Sequence, residues 1–123
     1  LNNIESPTTK EPHVPAVVFF CHDGAGNVLL ARRRDGGWSC GSGTCEPGEA
    51  PQATAQREIQ EEFGVVPKRI IRLGQRRNVT DFLAQVDRIH VRNAAPEEHS
   101  AILWRDVRRP DTWEKPWHPL FSE

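Results

Sequence analysis

The chain has 123 residues, enough for one domain with a real core and too few for two. Its 37% hydrophobic and 27% charged residues are the balance of an ordinary, somewhat polar soluble protein. Sixteen Lys and Arg against seventeen Asp and Glu leave a net charge of -1, which excludes a global pull toward nucleic acid or an anionic membrane.

Residues 1–12 are polar, carry two prolines and few apolar anchors, and read as a flexible N-terminal tail, with one domain expected over residues 13–123. They lack the basic segment and apolar stretch of a secretory leader. Val14 to His22 is rich in Val and Phe and predicts a buried strand. Its apolar run from Ala16 to Cys21 is the longest in the chain and far short of the ~20 residues that cross a bilayer. Asp23-Gly24-Ala25-Gly26-Asn27 supplies turn chemistry, so Val28 to Arg33 is expected to return as the second strand of a hairpin. Trp38 begins a short extended piece, and Gly41 to Gly48 reads as a loop.

Glu49 to Phe63 has the composition of a helix, with Pro51 tolerable in the first turn and Gly64 placed to end it. Ala55, Ile59 and Phe63 lie four apart and form an apolar stripe that can face a core. Two extended stretches follow, Arg69 to Arg77 and Thr80 to Val91, then a polar loop over Ala94 to Glu98 and a last strand over Ser100 to Val107. The end, Arg108 to Glu123, holds prolines and tryptophans and resists assignment. The order β-β-loop-α-β-β-β argues for an α/β domain with a mixed sheet. Three cysteines, an odd number, exclude a complete disulfide framework, and a cytoplasmic location is the expectation.

The chemistry is concentrated in the helix. Residues three and four apart are neighbours on a helical surface, so Glu58, Glu61 and Glu62 are expected to project as a cluster of carboxylates, with Glu49 entering the same area. Like charges at those spacings destabilise an isolated helix by roughly 0.2–0.5 kcal/mol per pair, and something should compensate. Hard oxygen donors without His or Cys suit Mg²⁺ or Mn²⁺ rather than zinc. Arg57 can reach Glu61 or hold a carboxylate by a bidentate contact. Glu-x-x-Glu-Glu alone is common on solvated helix faces, and the full spacing is what carries the reading.

That spacing resembles the signature of the Nudix hydrolases, Gly-x5-Glu-x7-Arg-Glu-U-x-Glu-Glu-x-Gly-U with U aliphatic. Gly43, Glu49, Arg57, Glu58, Ile59, Glu61, Glu62, Gly64 and Val65 meet every specified position. The resemblance extends to the preceding hairpin, to Trp38 ahead of the loop glycine, and to the acidic loop before a Trp-containing strand. It implies a Nudix-type α/β/α sandwich with a mixed sheet and a loop-helix catalytic motif. It also implies Glu58, Glu61 and Glu62 as ligands of Mg²⁺ or Mn²⁺, with Arg57 and Glu49 positioning them or adding to them. In MutT-like members a further acidic residue comes from the loop before the last strand, where Glu97 and Glu98 are the candidates. The chain departs from the family in having Gly41-Ser42-Gly43 where members often show Pro-Gly-Gly; Ser42 falls where a backbone carbonyl can join the metal shell.

Arg32, Arg33 and Arg34 follow a strand whose alternation lets at most two share a side. Arg32 and Arg34 are the candidates for substrate phosphates, against the plain account of solvated arginines. Trp38 and Phe82 are candidate platforms for a base, although such aromatics are more often core; Trp104, Trp113, Trp117 and His118 are open to the same two readings. Cys40, Cys45 and His22 lack zinc spacing. With no tyrosine, and no counterpart of the proline that many ADP-ribose hydrolases carry beyond the box, elimination leaves a (d)NTP or modified NTP, cleaved to NMP and pyrophosphate, as the first substrate expected. An ADP-ribose or nucleotide-sugar pyrophosphatase and a non-catalytic nucleotide-binding or sensor module are the alternatives. The expected partner is thus a small nucleoside diphosphate-linked molecule, with no nucleic acid and no membrane, bound by a monomer or homodimer.

Overall fold

A computed structural model describes residues 14–109. The expectations for residues 1–12, Trp113, Trp117 and His118 lie outside the described residues. Strand β1 spans Ala16–His22 and β2 spans Asn27–Arg33. The predicted hairpin forms, but the two strands pair only at His22 and Val28 beside the turn and then diverge. Asp23 builds that turn by accepting hydrogen bonds from the Ala25 amide (2.8 Å), the Asn27 amide (3.2 Å) and the Asn27 side chain (2.9 Å).

The space left where the strands part is filled by the next segment. β3, Trp38–Ser39, pairs with β2, and β4, Ser42–Thr44, pairs with β1 through Ala16, Val17 and Val18. The Phe19 amide donates to the Gly41 carbonyl at 3.0 Å between them. The stretch expected to be a loop from Gly41 to Gly48 therefore begins as sheet. Gaining backbone partners along β1 decides its conformation, a contact distant in sequence.

Helix α1 covers Pro51–Phe63. Ala50 caps it without a side-chain bond, with Pro51 in its first turn, and Gly64 closes it in the left-handed conformation (φ 67°), its amide bonded to the Gln60 carbonyl at 2.9 Å. Thr54, Ala55, Ile59, Glu62 and Phe63 are its buried residues. Ala55, Ile59 and Phe63 share one core with Val17, Phe19 and Cys21 of β1, Leu29 and Ala31 of β2, and Phe82 and Ala84 further along the chain.

β5, Arg69–Arg76, and β6, Val79–Gln85, form an antiparallel pair, and β6 lies parallel to the whole of β1. The extended stretch expected to run to Val91 stops at Gln85. A 3₁₀ turn follows at Arg88–His90, where the Asp87 carboxylate accepts from the Ile89 amide. Asp87 competes there as a local cap against further pairing. β7, His99–Asp106, returns antiparallel along the free edge of β2. Ile102 and Trp104 pack on the α1 side, as their alternation predicts, and Leu103 joins Val28, Leu30 and Cys40 on the other.

The result is a seven-stranded mixed sheet in the order β3-β2-β1-β6-β5, with β4 on β1 and β7 on β2, and α1 on one face. The expected α/β class with a mixed sheet is observed. β5 is an edge strand with Ile71 and Leu73 exposed between Arg69, Arg72 and Arg76, charges that discourage pairing with another chain. No described helix is long and apolar enough to cross a membrane. The three cysteines are free and buried, and burial pushes the Cys40 thiol up to about 12, which suits inert packing groups.

Candidate active site

Glu49 sits at the junction of the glycine-rich loop and α1. Its carboxylate accepts from Arg57 Nε at 2.9 Å and Nη2 at 3.0 Å, a bidentate pair, and from the Thr54 hydroxyl at 2.8 Å and the Glu46 amide at 3.0 Å. The Arg57 hydrogen bond, helped by those from Glu46 and Thr54, holds the Glu49 carboxyl down to about 2. The same guanidinium donates to the Thr44 carbonyl of β4 at 3.2 Å, tying the loop to the helix. Its Nη1 lies 3.2 Å from Glu58 and 3.4 Å from Glu61.

Glu58 and Glu62, one turn apart, flank the buried stripe of α1. Glu62 is 4% exposed. Burial first, and then the neighbouring Glu58 carboxyl, raises Glu62 well above the ordinary carboxylate range, and burial raises Glu58 as well. Gly43 packs directly on this pair: a Cβ there would overlap the Glu58 carboxylate.

Glu61 does not join them. Its side chain is 57% exposed and turned to Arg57, and among the described residues no three His, Cys, Asp or Glu side chains converge as a metal-binding group. Of the three expected carboxylates, Glu62 is thus buried, Glu58 half-buried beside it, and Glu61 lies on the neighbouring, solvated face. The reason is angular: Glu61 lies ~100° around the helix from Glu62, away from the sheet that buries its neighbour.

Beyond the carboxylates, Arg33 ends β2 on the α1 side, following Leu29 and Ala31. It donates to the Ser42 hydroxyl at 3.5 Å, and its charge acts on Glu62. A cleft of about 260 Å³ opens here between Arg33, Arg34, Asp35, Glu97, Glu98 and His99, with the Asp35 carboxylate accepting from Arg33 Nε and Nη2 at 2.9 Å each. Arg34 lines it while donating to the Pro96 carbonyl at 2.6 Å, and Glu98 is the loop carboxylate whose charge reaches Glu62. Ser42 stands in β4 opposite Val18, next to Gly43. A larger cleft of about 690 Å³ touches α1 at Glu49 and Pro51 but includes neither Glu58 nor Glu62, so the carboxylates and not cleft size locate the site.

Three residues expected to contact substrate lie away from the carboxylates. Arg32 and Trp38 face each other across β2 and β3 on the side of the sheet opposite α1, Trp38 packing with Val28, Leu30 and Cys40. Phe82 is 2% exposed and packed in the core under α1, where no base can reach it. Leu29 and Leu30 make both faces of β2 apolar and hide which one meets the helix, so the sequence does not single out Arg33. Alternation with Ala31 was the signal available. His99, buried beside Glu62, carried no spacing signal at all.

The family model described as NUDIX domain matches residues 12–120. An RNA pyrophosphohydrolase from Roseobacter denitrificans is 40% identical over 60 residues, an overlap covering 46% of this chain and only 38% of that relative's length. Among solved structures, a MutT NUDIX hydrolase from Burkholderia pseudomallei superposes with a TM-score of 0.65 at 18% identity, covering 87% of this chain and 91% of that one. A variant of the Bacillus subtilis pyrophosphohydrolase gives 0.61 at 22% identity, covering 76% of this chain and 63% of that one. At these identities the structures share the fold.

Proposed function

The chain belongs to the NUDIX domain family, and from that membership and its carboxylates we propose a divalent-metal-dependent pyrophosphohydrolase acting on a nucleoside diphosphate derivative. The observation that carries the reading is the Glu58–Glu62 pair held against Gly43, with Arg57 clamping Glu49 alongside. Two neighbouring carboxylates, Glu62 buried and Glu58 partly so, fit a hard divalent cation, since all donors are oxygen and their repulsion favours positive charge. Bound Mg²⁺ or Mn²⁺ would be held by Glu58 and Glu62, with Glu61 and the Ser42 carbonyl as further candidates, and would supply Lewis acidity toward phosphate oxygens and a more acidic water.

The chain's own groups supply the rest. Arg57 keeps Glu49 ionised and fixes the loop to the helix, so that the donor geometry is set before substrate arrives. Arg33 and Arg34 line the cleft as candidate donors to phosphate oxygens, Arg33 being paired with Asp35 until substrate arrives. Glu98 is our candidate, ahead of Glu97 because its charge reaches Glu62, to take the proton of the attacking water as the phosphoanhydride bond breaks.

The first substrate reading is a (d)NTP or modified NTP, giving NMP and pyrophosphate. A second reading, the 5′-triphosphate end of RNA, is favoured by the name of the Roseobacter relative and by the arginines along exposed β5. The test is a panel of NTPs, ADP-ribose and a 5′-triphosphorylated RNA oligomer with Mg²⁺ or Mn²⁺ in ¹⁸O-labelled water, analysed by mass spectrometry. Glu62→Gln should retain the fold and lower kcat by about a hundredfold or more, the loss of roughly 3 kcal/mol of transition-state stabilisation. Wild type and Glu62→Gln equally inert on every compound would overturn the enzyme reading in favour of a binding module.

A further inference from the structure

His99 opens β7 at 3% exposure, and its Nδ1 is the buried side-chain atom among the described residues with no hydrogen-bond partner. Buried polar atoms without partners are rare in folded proteins and call for a reason. The ring is held firmly. It stacks on Phe63, with centroids 5.9 Å apart and planes 12° from parallel. Its backbone is fixed by the Ala95 carbonyl at 2.9 Å and the Asn93 side chain at 2.8 Å. The loop carrying it is bonded to the end of α1, the Ala94 amide to the Glu62 carbonyl at 2.9 Å and the Arg92 amide to the Phe63 carbonyl at 3.1 Å.

All of this directs one atom. His99 Nε2 lies 3.7 Å from Glu62 Oε1, with the two side chains 4% and 5% exposed. The gap is longer than a hydrogen bond, and the contact is a short-range electrostatic one between the imidazole edge and the carboxylate. The tautomer follows from the surroundings. A proton on Nδ1 would be a buried donor with no acceptor, and the Nε2 lone pair would then face a carboxylate oxygen. A proton on Nε2 faces Glu62 as a donor and leaves only an acceptor unmatched, the lesser cost.

We infer that His99 is a positioning residue, whose Nε2–H orients the Glu62 carboxylate from the β7 side while Glu58 meets it from the helix side. This rests on the reading of Glu62 as a cation ligand given above. Stacking and volume alone would be served by phenylalanine; only a donor toward Glu62 calls for the imidazole. Outer contacts of this kind typically change metal affinity by about 10–100-fold.

The test is the Mn²⁺ affinity of the purified protein, by calorimetry and by electron paramagnetic resonance of free Mn²⁺, with melting temperature and kinetics alongside. His99→Phe, which keeps the stack, should weaken Mn²⁺ binding by about tenfold or more and lower kcat with KM for substrate unchanged. His99→Gln, whose amide reaches the Nε2 position, should recover most of both, and His99→Asn, whose amide stops near Nδ1, should not. If the phenylalanine variant fails to fold, the contrast between Gln and Asn decides. Wild-type Mn²⁺ affinity in His99→Phe, or equal losses in Gln and Asn, would overturn the inference. Wild type binding Mn²⁺ no better than Glu62→Gln would overturn it together with the ligand assignment, whereas Mn²⁺ binding that depends on Glu62 and His99 without hydrolysis would sink the enzyme reading alone.

Discussion

A glycine at position 43 is what lets Glu58 lie where it does. The conformation there is ordinary; what matters is the missing Cβ, whose place the carboxylate occupies. Gly43→Ala should therefore push Glu58 aside with little effect on the melting temperature, because a flexible side chain yields before backbone does. Misplacement of about 1 Å at a reacting centre costs up to about a hundredfold in rate, so kcat should fall tenfold or more, and unchanged kcat would show that Glu58 is not held there. Spacing made Glu49, Arg57, Glu58, Glu61 and Glu62 legible as a group. It could not tell that Glu61 turns to solvent, because helical periodicity gives angles and not which angle meets the sheet.

The elements rest on contacts of different range, and each can be probed on its own terms. Burial opposes ionisation of Asp23, but hydrogen bonds from Asn27 and Ala25, with Arg88 at 3.5 Å, outweigh it and hold the carboxyl below its ordinary range. A depressed folded-state value means that its contribution is full above the unfolded carboxylate pKa of about 3.9 and is lost as pH falls through the folded one. Asp23→Ala should cost about 1–3 kcal/mol at pH 7, the scale of hydrogen bonds to a charged group. Denaturant titrations of wild type and variant should converge in acid, and a gap independent of pH would contradict the assignment.

On the helix, Ile59 is fully buried against β1 and β6. Ile59→Ala should lower stability by about 2–5 kcal/mol through lost burial and a residual cavity, read as a lower denaturation midpoint at unchanged slope. The α1 stripe and the β1–β2 turn were readable because both are local patterns. β4 and the end of β6 were not. One is strand only because β1 offers partners, and the other stops because Asp87 caps a 3₁₀ turn.

For the molecule as a whole, one helix packed on one face of a mixed sheet brings three separated segments to a single place: the glycine-rich loop, α1 and the loop before β7. A ligand that binds only the folded arrangement stabilises it by mass action, by about 2.7 kcal/mol at a hundred times its dissociation constant. Mn²⁺ should thus raise the melting temperature of wild type but not of Glu62→Gln, and excess chelator should abolish hydrolysis while leaving the far-ultraviolet circular dichroism intact. A melting temperature indifferent to Mn²⁺ would contradict a cation site at Glu62.

The family, the α/β class and the identity of the acidic helix were determined by the sequence itself, because the motif is a local pattern of charge, glycine and aliphatic residues at invariant spacing. The tertiary structure alone decided that Glu62 is buried while Glu61 is exposed, that Arg33 and not Arg32 faces the site, that Phe82 is core, and that His99 stands beside Glu62. Those facts depend on which sheet face receives the helix and on contacts between residues far apart in the chain. No local periodicity encodes them, since burial is a property of the packed whole.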